Sequence, residues 1–487
     1  MQAPVTSPVL RLSHDVLAHI FCFLANAHDN PVQHSCEGED TGCEEYRAYC
    51  RPPWLLGLVC RSWRCSALSL PLLWTNFNLK CFSSSATAYE FDIEKLTVQL
   101  KRCQGQPVRV DLEGLDDSDP HEVTVSKFLS VLLSPSNRIS SCFLSLGAET
   151  FYSLHHGFNP LGFPDLEEII IKNNDDLPLE YILRKTERFS VFQNCPKLRS
   201  FSILGHNDLK QLDIPWSQIT TYISRNSDDF FAENHLHYEV LSRLENLETC
   251  WLDCVIIDGN AESDYIQPPR VLRHLHTLIL SSAANLVYNG YDKSGISHLL
   301  DSVALPSLHT LKFRNSLRES SSSLVKFIDR SRCTLRKLTL FDVIEQDLSD
   351  VESLLRSGSL ESLETLSIGF RIHPPPFDVT PIFSVLGRSP ETRGHRFPHL
   401  RCFETSCWEP FKQPGLIGMV RSRCGTGGGE LLLERLVLQA HKKMTKNESK
   451  EWRELGESEF AEFCDEGLVV EWVEKTCCGI EPTITGA

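Results

Sequence analysis

The stretch "LHTLIL" (275–280) carries a spacing of apolar residues that occurs ten times along the chain. The pattern is a leucine, two variable residues, an apolar residue, one variable residue and a second apolar residue. This alternation predicts a short β-strand with one buried face, and the leading leucine would pack beneath the turn that enters the strand. The other copies are "LEEIII" (166–171), "LRSFSI" (198–203), "LKQLDI" (209–214), "LETCWL" (247–252), "LHTLKF" (308–313), "LRKLTL" (335–340), "LETLSI" (363–368), "LRCFET" (400–405) and "LERLVL" (433–438).

Segments with helical spacing of apolar residues separate these strands, as in 295–307, 321–333 and 347–359. From Leu247 to Leu363 the copies are 28, 33, 27 and 28 residues apart, against about 20 to 29 for leucine-rich repeats. The copies resemble irregular leucine-rich repeats. This resemblance implies an α/β fold, a solenoid with a curved parallel sheet and outer helices, since no single unit can bury its apolar face alone.

The bulk properties of the chain exclude some classes of function. Its 487 residues exceed one ordinary core, and 41% are apolar. A net charge of −16 argues against a general nucleic-acid or anionic-membrane binder, because both roles need a positive field. We therefore expect neither nucleic acid nor membrane as a partner.

The cysteines favour an intracellular protein, in the cytoplasm or the nucleus. There are 19, an odd number, and Cys60, Cys142 and Cys250 stand where apolar residues are expected. A secretory signal ending in Ala25-Asn26-Ala27 is the alternative for the first helix. His19 within its apolar run, and Asp15 at its start, weigh against that alternative.

Two helices are predicted near the N-terminus. Val16, Leu17, Ile20, Phe21 and Leu24 form the apolar stripe of the first, with Ser13 as its N-cap. One helix spanning 55–67 would follow, with a helix stop at Pro71 and anchors at Leu72, Leu73 and Trp74. Helices this short cannot bury so much apolar surface among themselves, so part of it should face a partner.

The combination "LSHDVLAHIF" (12–21), "LLGLVCRSWRCSA" (55–67) and "LPLLW" (70–74) resembles the F-box, and the chain is similar to fungal F-box proteins with a long repeat region. Ser13 stands where the family pattern has proline. The resemblance implies docking onto the Skp adaptor and, through it, a cullin scaffold. The residues that it assigns to this docking are Leu12, Asp15, Leu17, Ile20, Phe21, Leu56, Val59, Cys60, Trp63, Leu73 and Trp74.

The domain boundaries follow from these patterns. We place the F-box at 8–80, a linking helix at 81–107 and the repeat region at 108–487, with a C-terminal cap at about 445–475. An acidic insertion, 28–50, interrupts the box. It is predicted to be a solvated loop; a zinc site at Cys36, Cys43 and Cys50 is the alternative, but their spacing fits no paired-cysteine knuckle.

The strands predict a binding surface for a target protein, because aromatic and charged residues point away from the core. These residues are Trp251, Asp253, Lys312, Arg314, Thr339, Phe341 and Glu404. No nucleotide-binding, metal or nucleophile motif is recognisable, so we expect no cofactor and no catalytic site. The leading hypothesis is a non-catalytic substrate-recognition subunit of a ubiquitin ligase with an unidentified target. The alternative is a non-degradative repeat scaffold or adaptor.

Overall fold

The computed structural model describes most of the chain in two compact units, residues 1–219 and 220–487. The described residues are 12–27, 54–80, 86–115, 127, 129–131, 133–147, 154, 162–173, 188–204, 212–225, 234–254, 269–282, 295–314, 317, 320–370, 378–387, 396–406, 414–424, 432–440 and 446–474. The acidic insertion 28–50, with its three cysteines, lies outside them.

The first unit begins with short helices and continues as a parallel sheet. The helices are α1 (His14–Ala27), α2 (Leu56–Val59) and α3 (Arg61–Ser69), followed by a 3-10 turn at Pro71–Trp74. Next come β1 (Asn76–Lys80), α4 (Ala86–Arg102), β2 (Val108–Leu115), β3 (Ile139–Leu146), β4 (Glu168–Asn173) and β5 (Ser200–Leu204). The strands β1 to β5 are neighbours in chain order, and the pairs from β1–β2 to β4–β5 are parallel.

The second unit alternates strands and helices. Its elements are β6 (Thr221–Arg225), α5 (Asn234–Arg243), β7 (Thr249–Cys254), β8 (Arg270–Val271), β9 (Thr277–Ser282), α6 (Gly295–Ser302), β10 (Val303–Ala304), β11 (Thr310–Arg314), α7 (Ser321–Ser331), β12 (Lys337–Val343), α8 (Leu348–Arg356), β13 (Thr365–Phe370), α9 (Thr380–Leu386), β14 (Cys402–Ser406), α10 (Pro414–Arg423), β15 (Arg435–Ala440), α11 (Lys446–Asp465) and β16 (Val469–Glu474). Nine strands pair in parallel and in chain order, while β8 and β10 form a separate pair. Helices α6 to α10 each contact the next.

The strand prediction is confirmed for nine of the ten copies of the phrase. Each of these strands begins two residues after its leading leucine, and those nine leucines are at most 1% exposed. The helices predicted in 295–307, 321–333 and 347–359 are present as α6, α7 and α8. The chain is therefore a mixed α/β protein in which a buried leucine precedes each of these nine strands.

The tenth copy, 209–214, is described from residue 212 onward, and over 212–214 the strand prediction is wrong. Its Leu212 makes only an isolated bridge with Phe189. The next strand along the chain is β6, in the sequence "ITTYIS" (219–224), where Ile219 is fully buried at the position of the leading leucine. A second isoleucine, Ile139, is the first residue of β3 and is also fully buried, two residues before Ser141, which pairs with the first residue of β4, Glu168.

Two further expectations differ from the structure. The helix predicted across 55–67 is divided at Cys60, whose backbone is extended and whose Sγ accepts the Trp63 amide at 3.4 Å. Gly57 lowers the helix propensity of α2, which ends at Val59. Cys60 then caps the N-terminus of a separate helix, α3. The strand β1 lies within the range predicted for the box, so the sheet begins before the linking helix α4.

Arginine side chains bind the carboxyl ends of helices in the second unit. The last carbonyls of a helix have no partner within the helix, so a donor from another segment stabilises them. The donors and carbonyls are Arg270 to Ser242, Arg330 to Leu300, Arg396 to Arg356, and Arg423 to Leu386. In each contact, the arginine lies 28 to 40 residues after the helical residue whose carbonyl it binds.

None of the helices in the described part of the chain has the length and apolar character needed to cross a membrane.

Candidate functional site

Exposed apolar side chains concentrate at the N-terminal helices. The described residues contain fourteen large apolar side chains that are exposed, and nine of them lie between residues 12 and 72. We call these nine the apolar helix surface: Leu12, Val16, Ile20, Phe23, Leu55, Leu58, Val59, Leu68 and Leu72. An exposed concentration of this kind marks an interaction site more often than scattered single residues do.

Two apolar rows run along α1, and only one of them is buried. Leu17 and Phe21, four residues apart, are 2% and 0% exposed. Val16, Ile20 and Phe23 follow the neighbouring row and are 44%, 37% and 73% exposed. Ser13 caps the helix as predicted, because its Oγ accepts the Val16 amide at 3.4 Å.

Aromatic packing fixes the helices that carry this surface. The ring of Trp63 contacts that of Phe21 edge to face, with centroids 4.9 Å apart. His14 Nδ1 lies 3.0 Å from Ser66 Oγ, which ties α1 to α3. The buried rows therefore hold the helices, while the exposed row faces outward.

Trp74 joins the helices to the sheet of the first unit. Its Nε1 donates to the Ala67 carbonyl at 2.9 Å, and the Arg102 guanidinium lies 4.2 Å from its ring centroid. On α4, Gln99 Nε2 donates to the Trp74 and Asn76 carbonyls. Burial lowers the pKa of the Arg102 guanidinium. These contacts connect α3 through Trp74 to α4 and to the first residue of β1.

Five of the eleven residues assigned to adaptor docking have little accessible surface in the chain. Leu17, Phe21, Leu56, Leu73 and Trp74 are 0 to 5% exposed within the chain's own core. A direct contact requires accessible surface, so their contribution would be to hold the helices. Of the others, Leu12, Asp15, Ile20 and Val59 are exposed, and Cys60 and Trp63 are half-buried.

Six of the nine residues of the apolar helix surface are not among the eleven that the F-box resemblance assigns to adaptor docking. Leu58 is 72% exposed, but the assumption of one continuous helix obscured its position. Phe23 lies three residues after Ile20 and seven after Val16, a helical spacing that indicates a second apolar row. That spacing could have identified it.

Residues assigned to target binding lie on one face of the second unit's sheet. The pairing register aligns Trp251 with Ile279, Ile279 with Lys312, and Lys312 with Thr339. It continues from Thr339 through Ser367 to Glu404. Arg314 and Phe341 are directly opposite each other, two residues after Lys312 and Thr339 on their strands.

Trp251 is much less accessible on this face than predicted. It is 7% exposed, and the Arg225 guanidinium covers its ring at 4.7 Å from the centroid. Its Nε1 lies 3.2 Å from both Asp253 Oδ1 and Ser281 Oγ. Trp251 therefore contacts the side chains of Arg225, Asp253 and Ser281. Arg225 would have to move before a target could contact the face of the Trp251 ring that it covers.

The charged residues of this face that follow Trp251 differ in whether they have a partner. Arg314 lies 4.0 Å from Asp342, and Glu404 accepts a hydrogen bond from Gln439. Lys312 is half-buried, and burial together with the charge of Lys337 lowers its pKa, against an opposing contribution from Glu404. Thr339 is 3% exposed, and its hydroxyl has no hydrogen-bond partner among the described residues.

Comparisons with protein-family models and with curated proteins found no match to this chain.

Proposed function

We propose that the chain is the substrate-recognition subunit of an SCF-type (Skp–cullin–F-box) ubiquitin ligase. In this proposal the apolar helix surface docks on the Skp adaptor, and the repeat strands form a curved solenoid whose open face binds a target protein. The chain contributes no catalytic group. It raises the effective concentration of the target beside the ubiquitin-loaded enzyme, which is sufficient for proximity catalysis.

The exposed apolar row on α1 is the observation that carries this proposal. Leaving Phe23 73% and Leu58 72% exposed forgoes the burial energy of two large side chains, about 1.5 to 3 kcal/mol each when a side chain is fully buried. A docked partner would recover that free energy. The resemblance of 12–21, 55–67 and 70–74 to the F-box supports the Skp adaptor as the partner.

Adaptor binding can be tested by capture of the purified full chain on an immobilised Skp adaptor. Phe23→Asp and Leu58→Asp place a charge on the apolar helix surface without removing a buried side chain. We expect each to weaken adaptor binding by about 2 kcal/mol or more, since a buried unpaired carboxylate is costly. Point variants are preferable to deletion of 10–80, which also removes β1.

Leu455→Asp is the matched control, because Leu455 is a 52% exposed leucine on helix α11 of the second unit. It should bind the adaptor as the unmodified chain does. Full-strength binding by both Phe23→Asp and Leu58→Asp, or no binding by the unmodified chain, would contradict the proposal. The second outcome would favour the alternative function, a non-degradative repeat scaffold or adaptor.

An intracellular location fits the same proposal. Eleven of the cysteines in the described residues are free thiols. Five of them are buried, and burial raises the pKa of Cys195 to about 12. Free buried thiols are the usual state of cysteines in a reducing compartment.

A further inference from the structure

The strand β16 has a neighbour on one side only among the described strands of the second unit. It pairs in parallel with β15. The Val469 amide points toward β15, because it donates to the Glu434 carbonyl at 2.9 Å. Backbone groups alternate in direction along a strand, so those of Val470 and Glu474 point away from β15. An edge of this kind is a template for pairing with another chain.

The side chains of β16 do not protect this edge. Edge strands are usually protected by unpaired charges, proline or bulges. Val469 and Val473 instead are 52% and 37% exposed, on the open face of the sheet. They are two of the five exposed large apolar side chains of the described residues that lie outside the apolar helix surface. Between them Glu471 pairs with Arg435 at 2.5 Å, which neutralises its charge within the sheet.

The edge strand of the first unit, β1, is treated differently. The Thr75 carbonyl accepts the Arg109 amide of β2, so the Asn76 carbonyl points away from β2. Gln99 on α4 donates to this outward carbonyl at 2.8 Å. Within the described residues, the outward backbone groups of Val470 have no such partner. The chain therefore covers part of the β1 edge itself and leaves this part of the β16 edge open.

The helix that precedes β16 is strongly acidic. From the start of α11 to the end of β16, residues 446–474 hold ten acidic and three basic residues. Lys450 and Arg453 each pair with a glutamate four positions later. Glu459 and Glu462 are exposed and have no ion pair among the described residues. The open edge therefore lies beside an excess of negative charge.

A second copy of this chain does not suit this edge. The helix α11 packs on the core face of β16, where its Phe460 and Phe463 are fully buried. An antiparallel pair of β16 strands, related by a two-fold axis, would place two α11 helices side by side on that face. Their carboxylates would repel each other, as would two chains of net charge −16. Charge complementarity requires a basic partner instead.

We propose that the edge of β16 binds an extended segment of a partner protein in which lysine or arginine alternates with apolar residues. The segment adds to the sheet as a further strand, through backbone hydrogen bonds to the outward groups of β16. Its apolar side chains cover Val469 and Val473 on the open face. Its basic side chains point to the other face, where their stems pack along the half-buried Val470 and Trp472 and their charges meet the carboxylates of α11.

This surface goes beyond the proposed function. It shares no residue with the apolar helix surface or with the residues assigned to target binding. Backbone pairing supplies affinity for any extended segment, and the alternation of basic and apolar residues supplies the selectivity. The edge therefore gives the chain a further protein partner, which need not be the ubiquitinated target.

Fluorescence polarisation with the purified full chain, without the adaptor, tests this surface. The probe is a fluorescein-labelled nine-residue peptide in which valine alternates with lysine. One matched peptide has glutamate in place of lysine, one has the same residues in two blocks, and one carries N-methyl groups on two neighbouring central amides. We expect the probe to bind at least tenfold more tightly than each of the three, because only the probe combines charge, alternation and both backbone edges.

Val473→Lys tests the strand itself. A lysine on an edge strand opposes strand addition, and here it also repels the probe. Because the valine is 37% exposed, the thermal midpoint should stay unchanged while probe binding weakens by about tenfold. Val271→Lys, at a 52% exposed position on β8, is the matched control and should bind the probe as the unmodified chain does.

A double variant, Glu459→Gln with Glu462→Gln, tests the charge of α11. It should weaken probe binding by about tenfold at low ionic strength and by less at about 0.5 M salt, because salt screens exposed charges. Asp301→Asn with Glu361→Gln removes two exposed carboxylates elsewhere in the second unit and is the control. This control should bind the probe at full strength.

Four outcomes would overturn the proposal. Equal binding of the N-methylated peptide rules out strand addition, and equal binding of the glutamate peptide rules out a basic partner. A dimer that Val473→Lys abolishes, measured by light scattering, assigns the edge to a second copy. Failure of the full chain to bind the probe leaves the edge without this partner, and binding only by a chain that ends at Glu474 assigns it to residues 475–487. The assay contains no adaptor, so its failure leaves the adaptor experiment standing.

Discussion

The N-terminal helices leave large apolar side chains exposed, whereas the strands of the second unit bury most of theirs. Leu58 and Phe23 are more than 70% exposed, whereas Leu308 and Leu335, which lead β11 and β12, are fully buried. A repeat strand has a neighbour on each side and a helix beneath, so stacking provides its burial. The short helices have too few neighbours, and their remaining apolar surface is available to a partner.

The largest expected difference between these regions comes from the same substitution at two leucines. Leu308→Ala removes a fully buried side chain and should lower the free energy of unfolding by about 2 to 5 kcal/mol. Leu58→Ala, at a 72% exposed position, should change it by less than about 0.5 kcal/mol. Urea unfolding followed by circular dichroism measures both, and equal losses would remove the contrast between the regions.

Arg423 provides a smaller test within the second unit. It is 1% exposed, donates to the Leu386 carbonyl at 2.7 Å and to the Phe397 carbonyl at 3.1 Å, and burial lowers its pKa to about 10. Arg423→Gln leaves these buried carbonyls with fewer donors and should cost about 2 to 3 kcal/mol. Arg421→Gln, on the exposed side of the same helix, is the control; it removes only a cation–π contact with Phe463 at 5.9 Å and should cost no more than about 1 kcal/mol in the same urea titration.

Thr405→Val should give the smallest effect and one of opposite sign. Thr405 is 1% exposed, and its hydroxyl has no hydrogen-bond partner. Replacing that hydroxyl with a methyl group should raise the free energy of unfolding by up to about 1 kcal/mol. Thr310→Val, at a half-buried position on the open face, should leave the urea midpoint nearly unchanged. Destabilisation by Thr405→Val would indicate that its hydroxyl is satisfied in solution.

The repeat region was predictable because one residue type recurs at a position with one physical role. The prediction was wrong where another apolar residue took that role, as Ile219 does before β6. Strand β1 was missed for the same reason, since Trp74 stands two residues before it and is 2% exposed. Burial requires an apolar side chain there, and leucine is only the most frequent choice.

The candidate surfaces were less predictable, because helical spacing alone does not show which of two apolar rows is buried. Val16 and Leu17 are neighbours in sequence, yet one is 44% and the other 2% exposed. On the sheet, alternation correctly placed Lys312 and Thr339 on the outward face. It could not show that the Thr339 hydroxyl is unpaired or that Arg225 covers Trp251, because both depend on neighbouring strands.

The residue-for-residue pairing of neighbouring strands also limits how this chain can change in length during evolution. Thr277 pairs with Thr310, and Thr310 with Lys337, so one residue inserted inside β11 would turn its later side chains to the other face. Extra residues after a strand leave that alignment intact. Duplication or loss of a complete helix and strand also preserves it. Lineages carrying this chain should therefore differ by whole repeats and by loop length, while the strands keep their number of residues.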